Sequence, residues 1–192
     1  MPSVENPEQR IKVLNHYDHL VKQGHEFGFV DEDAYASIGS PFSVFMWGLF
    51  LYPAAYRRRD LVGMHKPFRM TIFYVLMRHH HLGTFITLAH SNPTFSTLFL
   101  DGTVVETVAA PTKVLTFPDA RVYRFGLPDE RGLIKRENRH KAIAMGWELH
   151  QEKLKMFQDR GLILNRNLSD EIYHYILATV QYVIDHGNRG EE

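Results

Sequence analysis

The chain has 192 residues, 44% hydrophobic and 23% charged. That is enough for one domain with its own core and too apolar for global disorder. Lys plus Arg and Asp plus Glu are both 22, so the formal charge is zero; nucleic acid is not expected as a main partner, and no net repulsion opposes assembly into a homo-oligomer. Cysteine is absent, which excludes a disulfide frame, a thiolate nucleophile and a cysteine-ligated metal site.

The first residues, "MPSVENPEQR", lack the basic and apolar regions of a secretory signal, so the expected location is the cytoplasm or the cytoplasmic face of a membrane. A helix is predicted to follow. Asn6 can cap it, Pro7 suits the first turn, Ile11, Leu14, Leu20 and Val21 give an apolar face, and Gly24 supplies a stop. His16 and His19 are one turn apart on this helix, but no third ligand is specified, and a solvated surface is the simpler reading.

Residues 31–40, "DEDAYASIGS", read as a polar connector. The apolar segment 42–56 comes next, with Phe42, Phe45, Trp47, Phe50 and Tyr52, and the run Arg57, Arg58, Arg59 closes it. A spanning helix needs roughly 20 apolar residues, and Pro41 and Pro53 dilute this stretch. It can serve as a core helix, as a monotopic or re-entrant membrane segment, or as a spanning helix. In the membrane readings the arginines meet lipid headgroups.

From 68 to 126 the pattern turns to strands. "MTIFYVLM" and "TFITLA" are rich in β-branched and aromatic residues. Asp101-Gly102 between two alternating runs is a type I′ hairpin signal. That turn pairs Phe99 with Val104, Leu98 with Val105, Thr97 with Glu106 and Phe95 with Val108. "TKVLTF" and "RVYRF" form two further strands around Pro118-Asp119.

Two helices close the chain within 129–187. The first carries a seam of His140, Ile143, Trp147, His150, Leu154 and Phe157 and stops at Gly161. The basic run "KRENRHK" at its start opposes the helix dipole; an acidic partner or lipid headgroups would compensate it, and Glu130 and Glu137 offset part of it. Ser169 caps the second helix, whose apolar face is Ile172, Ile176, Val180, Val183 and Ile184. The expected architecture is α+β in one domain, 1–192. It has an N-terminal helix, an apolar helical segment within 1–60, and an antiparallel meander of about five or six strands, one face of which the two C-terminal helices cover.

Chemistry is sparse. On a strand, His79 and His81 of "MRHHHLGTFITLAH" share a face and can chelate a divalent metal, with His90 as a third ligand if the chain reverses near Leu82-Gly83 or Ser91-Asn92-Pro93. The spacing matches no ligand motif, so no cofactor is predicted. His150 near Glu106 would make an acid–base pair between helix and sheet. No serine elbow and no phosphate-binding glycine loop is present. The leading expectation is a non-enzymatic accessory or binding protein that docks on a membrane surface or protein partner through 42–56 and its arginine flank. The alternative is a small enzyme or ligand-binding domain with a histidine-lined pocket, with metal as an optional cofactor.

Overall fold

A computed structural model of the chain describes residues 4–38, 62–64, 70–89, 92–111, 115–127 and 139–186. Helix α1, Pro7–Glu26, begins as the sequence indicates: the Asn6 side chain accepts from the backbone of Glu8 and Gln9, and Pro7 occupies the first turn. Its buried face is Val13, Tyr17, Val21 and Gly24, whereas Ile11 is exposed. The helix runs through Gly24, where a Cβ would meet Met77 Sδ at 2.8 Å, and ends before Gly28, whose φ is +85°. Close packing fixes the first glycine and a left-handed turn the second.

Among the described residues eight strands form one sheet. They are β1 Val30–Ile38, β2 Val62–Met64, β3 Met70–His79, β4 Thr84–Leu88, β5 Thr94–Leu98, β6 Val104–Pro111, β7 Leu115–Phe117 and β8 Val122–Leu127. The order is β1-β3-β4-β5-β6-β8-β7, with β2 also paired to β3. Every pairing is antiparallel except β6 with β8. Helices α2, Arg139–Gln158, and α3, Asp170–His186, follow.

The α+β class stands, with an antiparallel-dominated sheet flanked by the N-terminal helix and two C-terminal helices. Several details differ from the sequence reading. The presumed connector 31–40 is largely β1, an acidic edge strand; charged residues are a normal protection for a sheet edge, and they hid its β character. The two C-terminal helices do not share a face. α1 and α2 pack on one side with Val75, Met77, Ile86, Leu88 and Phe95. α3 packs on the other with Leu76, Phe85, Leu98, Val104 and Val122. Strands β3 to β6 are therefore buried on both faces, which is why "MTIFYVLM" reads as a continuous apolar run.

The Asp101-Gly102 hairpin exists, but with a longer loop. Phe99 N donates to Thr103 O and Gly102 N to Phe99 O, and Gly102 has φ +87° while Asp101 is not left-handed. This is a three-residue loop with glycine in the left-handed position, and Asp101 braces it by accepting from Thr103 N and Oγ1. Leu98 consequently pairs with Val104, Phe95 with Thr107 and Ser96 with Glu106. The register is one residue away from the two-residue turn, and such a slip changes which side chains share a face.

Strand directions sort the connections to two ends of the sheet. One end holds the 80–83 turn, the 100–102 loop, the 118–121 turn and the α2–α3 loop. The other end receives the end of β1, the start of β3, the end of β4, the starts of β5 and β7, the ends of β6 and β8, and the start of α2.

Gly83 has φ +60°, and a Cβ there would clash with the Asn165 carbonyl oxygen; Gly102 has φ +87° with open space around it. Gly83→Ala is expected to cost about 3 kcal/mol, the left-handed penalty plus a backbone clash, and Gly102→Ala about 1 kcal/mol, the penalty alone. Urea denaturation of the two variants checks this ranking.

Candidate functional site

The seam of α2 lies where the sequence placed it. Ile143, Trp147, His150, Leu154 and Phe157 are all buried against the sheet; the side chain of His140 lies outside the described residues. Gly146 allows the approach, since a Cβ there would stand 2.8 Å from Ala109 Cβ. His150 is 0% exposed, and both ring nitrogens are engaged: Nδ1 lies 3.0 Å from Thr107 Oγ1 and Nε2 3.0 Å from Thr97 Oγ1. Thr97 Oγ1 is 2.7 Å from Thr84 Oγ1, and Thr84 Oγ1 donates to the Leu82 carbonyl.

Only one set of proton positions satisfies this chain. Because Thr84 donates to a carbonyl, it must accept from Thr97. Thr97 then accepts from His150 Nε2–H, and His150 Nδ1 accepts from Thr107. The imidazole is a neutral link between Thr97 and Thr107, stacked on Phe95 and Trp147. Burial drives its pKa down to about 3.

Glu106 does not join it. Thr107 faces α2, so its neighbour Glu106 faces α3 on the opposite side of the sheet. Glu106 is 4% exposed and its Oε2 lies 2.9 Å from Arg124 Nε, its cross-strand neighbour on β8. The N–H does not point along this contact, so neither atom completes a hydrogen bond within the protein. Burial raises the Glu106 pKa and Arg124 opposes the rise. The two catalytic candidates thus sit in separate layers, because the hairpin register differs by one residue from that of a two-residue turn.

The histidine run is a hairpin rather than one strand. His79 ends β3, residues 80–83 turn, and β4 begins at Thr84. The His79 ring lies against Phe29 and Trp147, and its Nδ1 accepts from Leu82 N at 3.3 Å. Its Nε2 faces Gly28. Burial, reinforced by His81 and His80, lowers its pKa. His80 points elsewhere, with Nε2 2.6 Å from Asp31 Oδ2, and His81 is exposed with its ring 6.2 Å from that of His79. Among the described residues no group of three or more His, Cys, Asp or Glu side chains could hold a metal ion. His90, the third candidate ligand, lies outside the described residues.

An unanticipated polar clasp ties α3 to the sheet. Arg78, 9% exposed, donates to the carbonyls of Leu168 and Asp31 and, at 2.7 Å, to Asp170 Oδ1. Tyr35 also donates to Asp170. The one signal in the sequence is an arginine beside a run of apolar strand residues. Deeper under α3, Tyr173 meets Thr87 Oγ1 at 2.7 Å.

The docking candidates Phe42, Phe45, Trp47, Phe50, Tyr52, Arg57, Arg58 and Arg59 lie outside the described residues, but both flanks of their segment are described. Ile38, at the end of β1, pairs with Thr71, and Val62, at the start of β2, pairs with Ile72. The flanks therefore hold opposite sides of β3 at one level, about 10 Å apart by two interstrand spacings. Among the described residues no helix is long and apolar enough to cross a membrane. No protein-family model, curated protein or solved structure matches the chain.

Two consequences can be measured. His150 has a lower pKa folded, about 3, than the ordinary 6.5. Between those values the unfolded chain binds the extra proton, so this contribution is complete above pH 6.5 and is lost as pH falls, at about 1.4 kcal/mol per pH unit. Comparing urea unfolding at pH 7 and pH 5, His150→Gln is expected to lose about 2 kcal/mol less than the unaltered protein. Arg124→Leu strands a buried carboxylate and is expected to cost about 3–5 kcal/mol, most of it recovered when Glu106→Leu is added; a double-mutant cycle reads this coupling.

Proposed function

We propose that this protein is a non-enzymatic binding protein that docks on a membrane surface through residues 42–56, with Arg57, Arg58 and Arg59 at the headgroup level. The observation that carries the reading is the pinning of Ile38 and Val62 on either side of β3. The two described flanks of segment 39–61 therefore stand within two strand spacings of each other on the sheet. A sequence rich in Phe, Trp and Tyr and bordered by arginines suits the boundary between acyl chains and headgroups.

The internal chemistry is consistent with this role. His150 is neutral with both nitrogens engaged, and Glu106 is sealed beside Arg124. Both are accounted for as parts of the packed core.

The test is co-sedimentation of the full chain with mixed phosphatidylcholine–phosphatidylserine vesicles. The unaltered protein is expected to bind, and Trp47→Ser with Phe50→Ser to weaken binding about a hundredfold, the loss of two inserted aromatic side chains, with an unchanged melting temperature. Vesicle binding unaffected by the pair, or no vesicle binding at all, overturns the reading; the second outcome leaves a protein partner as the occupant.

A further inference from the structure

Helix α3 carries two stripes. Tyr173, Ile176, Val180 and Val183 are buried against the sheet. On the opposite side Glu171, Tyr175, Ala178, Tyr182 and His186 are exposed. At about 100° per residue these five fall within an arc of about 80°. Tyr175 and Tyr182 are 50% and 62% exposed, although the helix already has a complete buried face. The His186 ring stacks on Tyr182 with centroids 4.1 Å apart, and its Nδ1 donates to the Tyr182 carbonyl at 2.8 Å. That leaves Nε2 as the nitrogen that takes a second proton. Asp185, the neighbouring acid, accepts from Gln181 Nε2 at 2.7 Å.

We infer that this outer stripe is the contact between two copies of the chain, packed with α3 antiparallel to α3 of the second copy. The stripe is complementary to itself. A two-fold axis between Ala178 and Thr179 sets Tyr175 opposite Tyr182 of the second copy, Glu171 opposite its His186, and Ala178 opposite its Thr179. The symmetry makes each contact twice. Small residues at the centre let the helices approach. Aromatic pairs flank them, and a carboxylate with a protonated imidazole closes each end. Antiparallel packing also sets the positive end of each helix dipole beside the negative end of the other. A parallel pairing would instead set Glu171 beside Glu171 and bring like dipole ends together. The zero net charge of the chain adds no repulsion between copies. One helix contact is smaller than a standard interface of roughly 1,600 Å², so the dimer is weak and reversible.

The experiment is sedimentation equilibrium of the full chain at pH 6, from low micromolar to near-millimolar concentration. The unaltered protein is expected to show a reversible monomer–dimer equilibrium. Tyr175→Ser with Tyr182→Ser is expected to weaken it about a hundredfold, since four aromatic side chains leave the contact, with an unchanged melting temperature. Leu100→Ser with Ile163→Ser removes two exposed apolar side chains elsewhere and is expected to leave association within about twofold of the unaltered protein. Glu171→Lys is expected to weaken association about tenfold, and adding His186→Glu to restore it to within about threefold. A monomer at every concentration, or a tyrosine pair that acts no more strongly than the Leu100 and Ile163 pair, overturns the inference. A charge exchange that does not restore association overturns the antiparallel contact.

Discussion

Burial of β3 to β6 on both faces is the constraint on which the rest of this structure depends. α1 and α2 cover one face and α3 the other, so a polar side chain in these strands must find its partner inside the protein. Thr84, Thr97, Thr107 and His150 solve this on the α2 side as one directional chain ending at a carbonyl. On the α3 side, Glu106 has Arg124, and Tyr173 has Thr87. These networks fix register, because moving β6 by one residue would turn Thr107 away from His150 and place Glu106 against it.

The same constraint sorts the connections of the sheet between its two ends. The middle of the sandwich is closed by packed helices, and the strand directions divide the connections between two ends. One end holds three tight turns and the α2–α3 loop, with glycines at the left-handed positions of 83, 102 and 161. The other receives the long connection between β1 and β2. A rigid platform with one end devoted to longer connections is how many folds carry binding surfaces.

The elements legible in the sequence were those marked by local chemistry. The Asn6 cap, the seam of α2 and its stop at Gly161 each follow from side chains whose effect does not depend on the rest of the chain. What was not legible depended on long-range pairing. β1 carries three consecutive acids and declares itself a strand only by pairing with β3. Asp101-Gly102 marks a hairpin, yet loop length is decided by Asp101 bracing Thr103 rather than by the dipeptide. That single residue of register separates a supposed His150–Glu106 pair from the actual His150–Thr107 contact. Tyr173, the most deeply buried aromatic of α3, sits one position beyond the aliphatic stripe, and its polar tip finds Thr87 only in three dimensions.

We propose that the apolar segment 42–56 meets a membrane surface. Hydrogen exchange of the full chain, with and without mixed phosphatidylcholine–phosphatidylserine vesicles, tests it most directly. Slower exchange on vesicles is expected in peptides from 39–61, with no change in 80–83, 100–103 and 159–168. Slowing in the second set, or in neither, contradicts the claim.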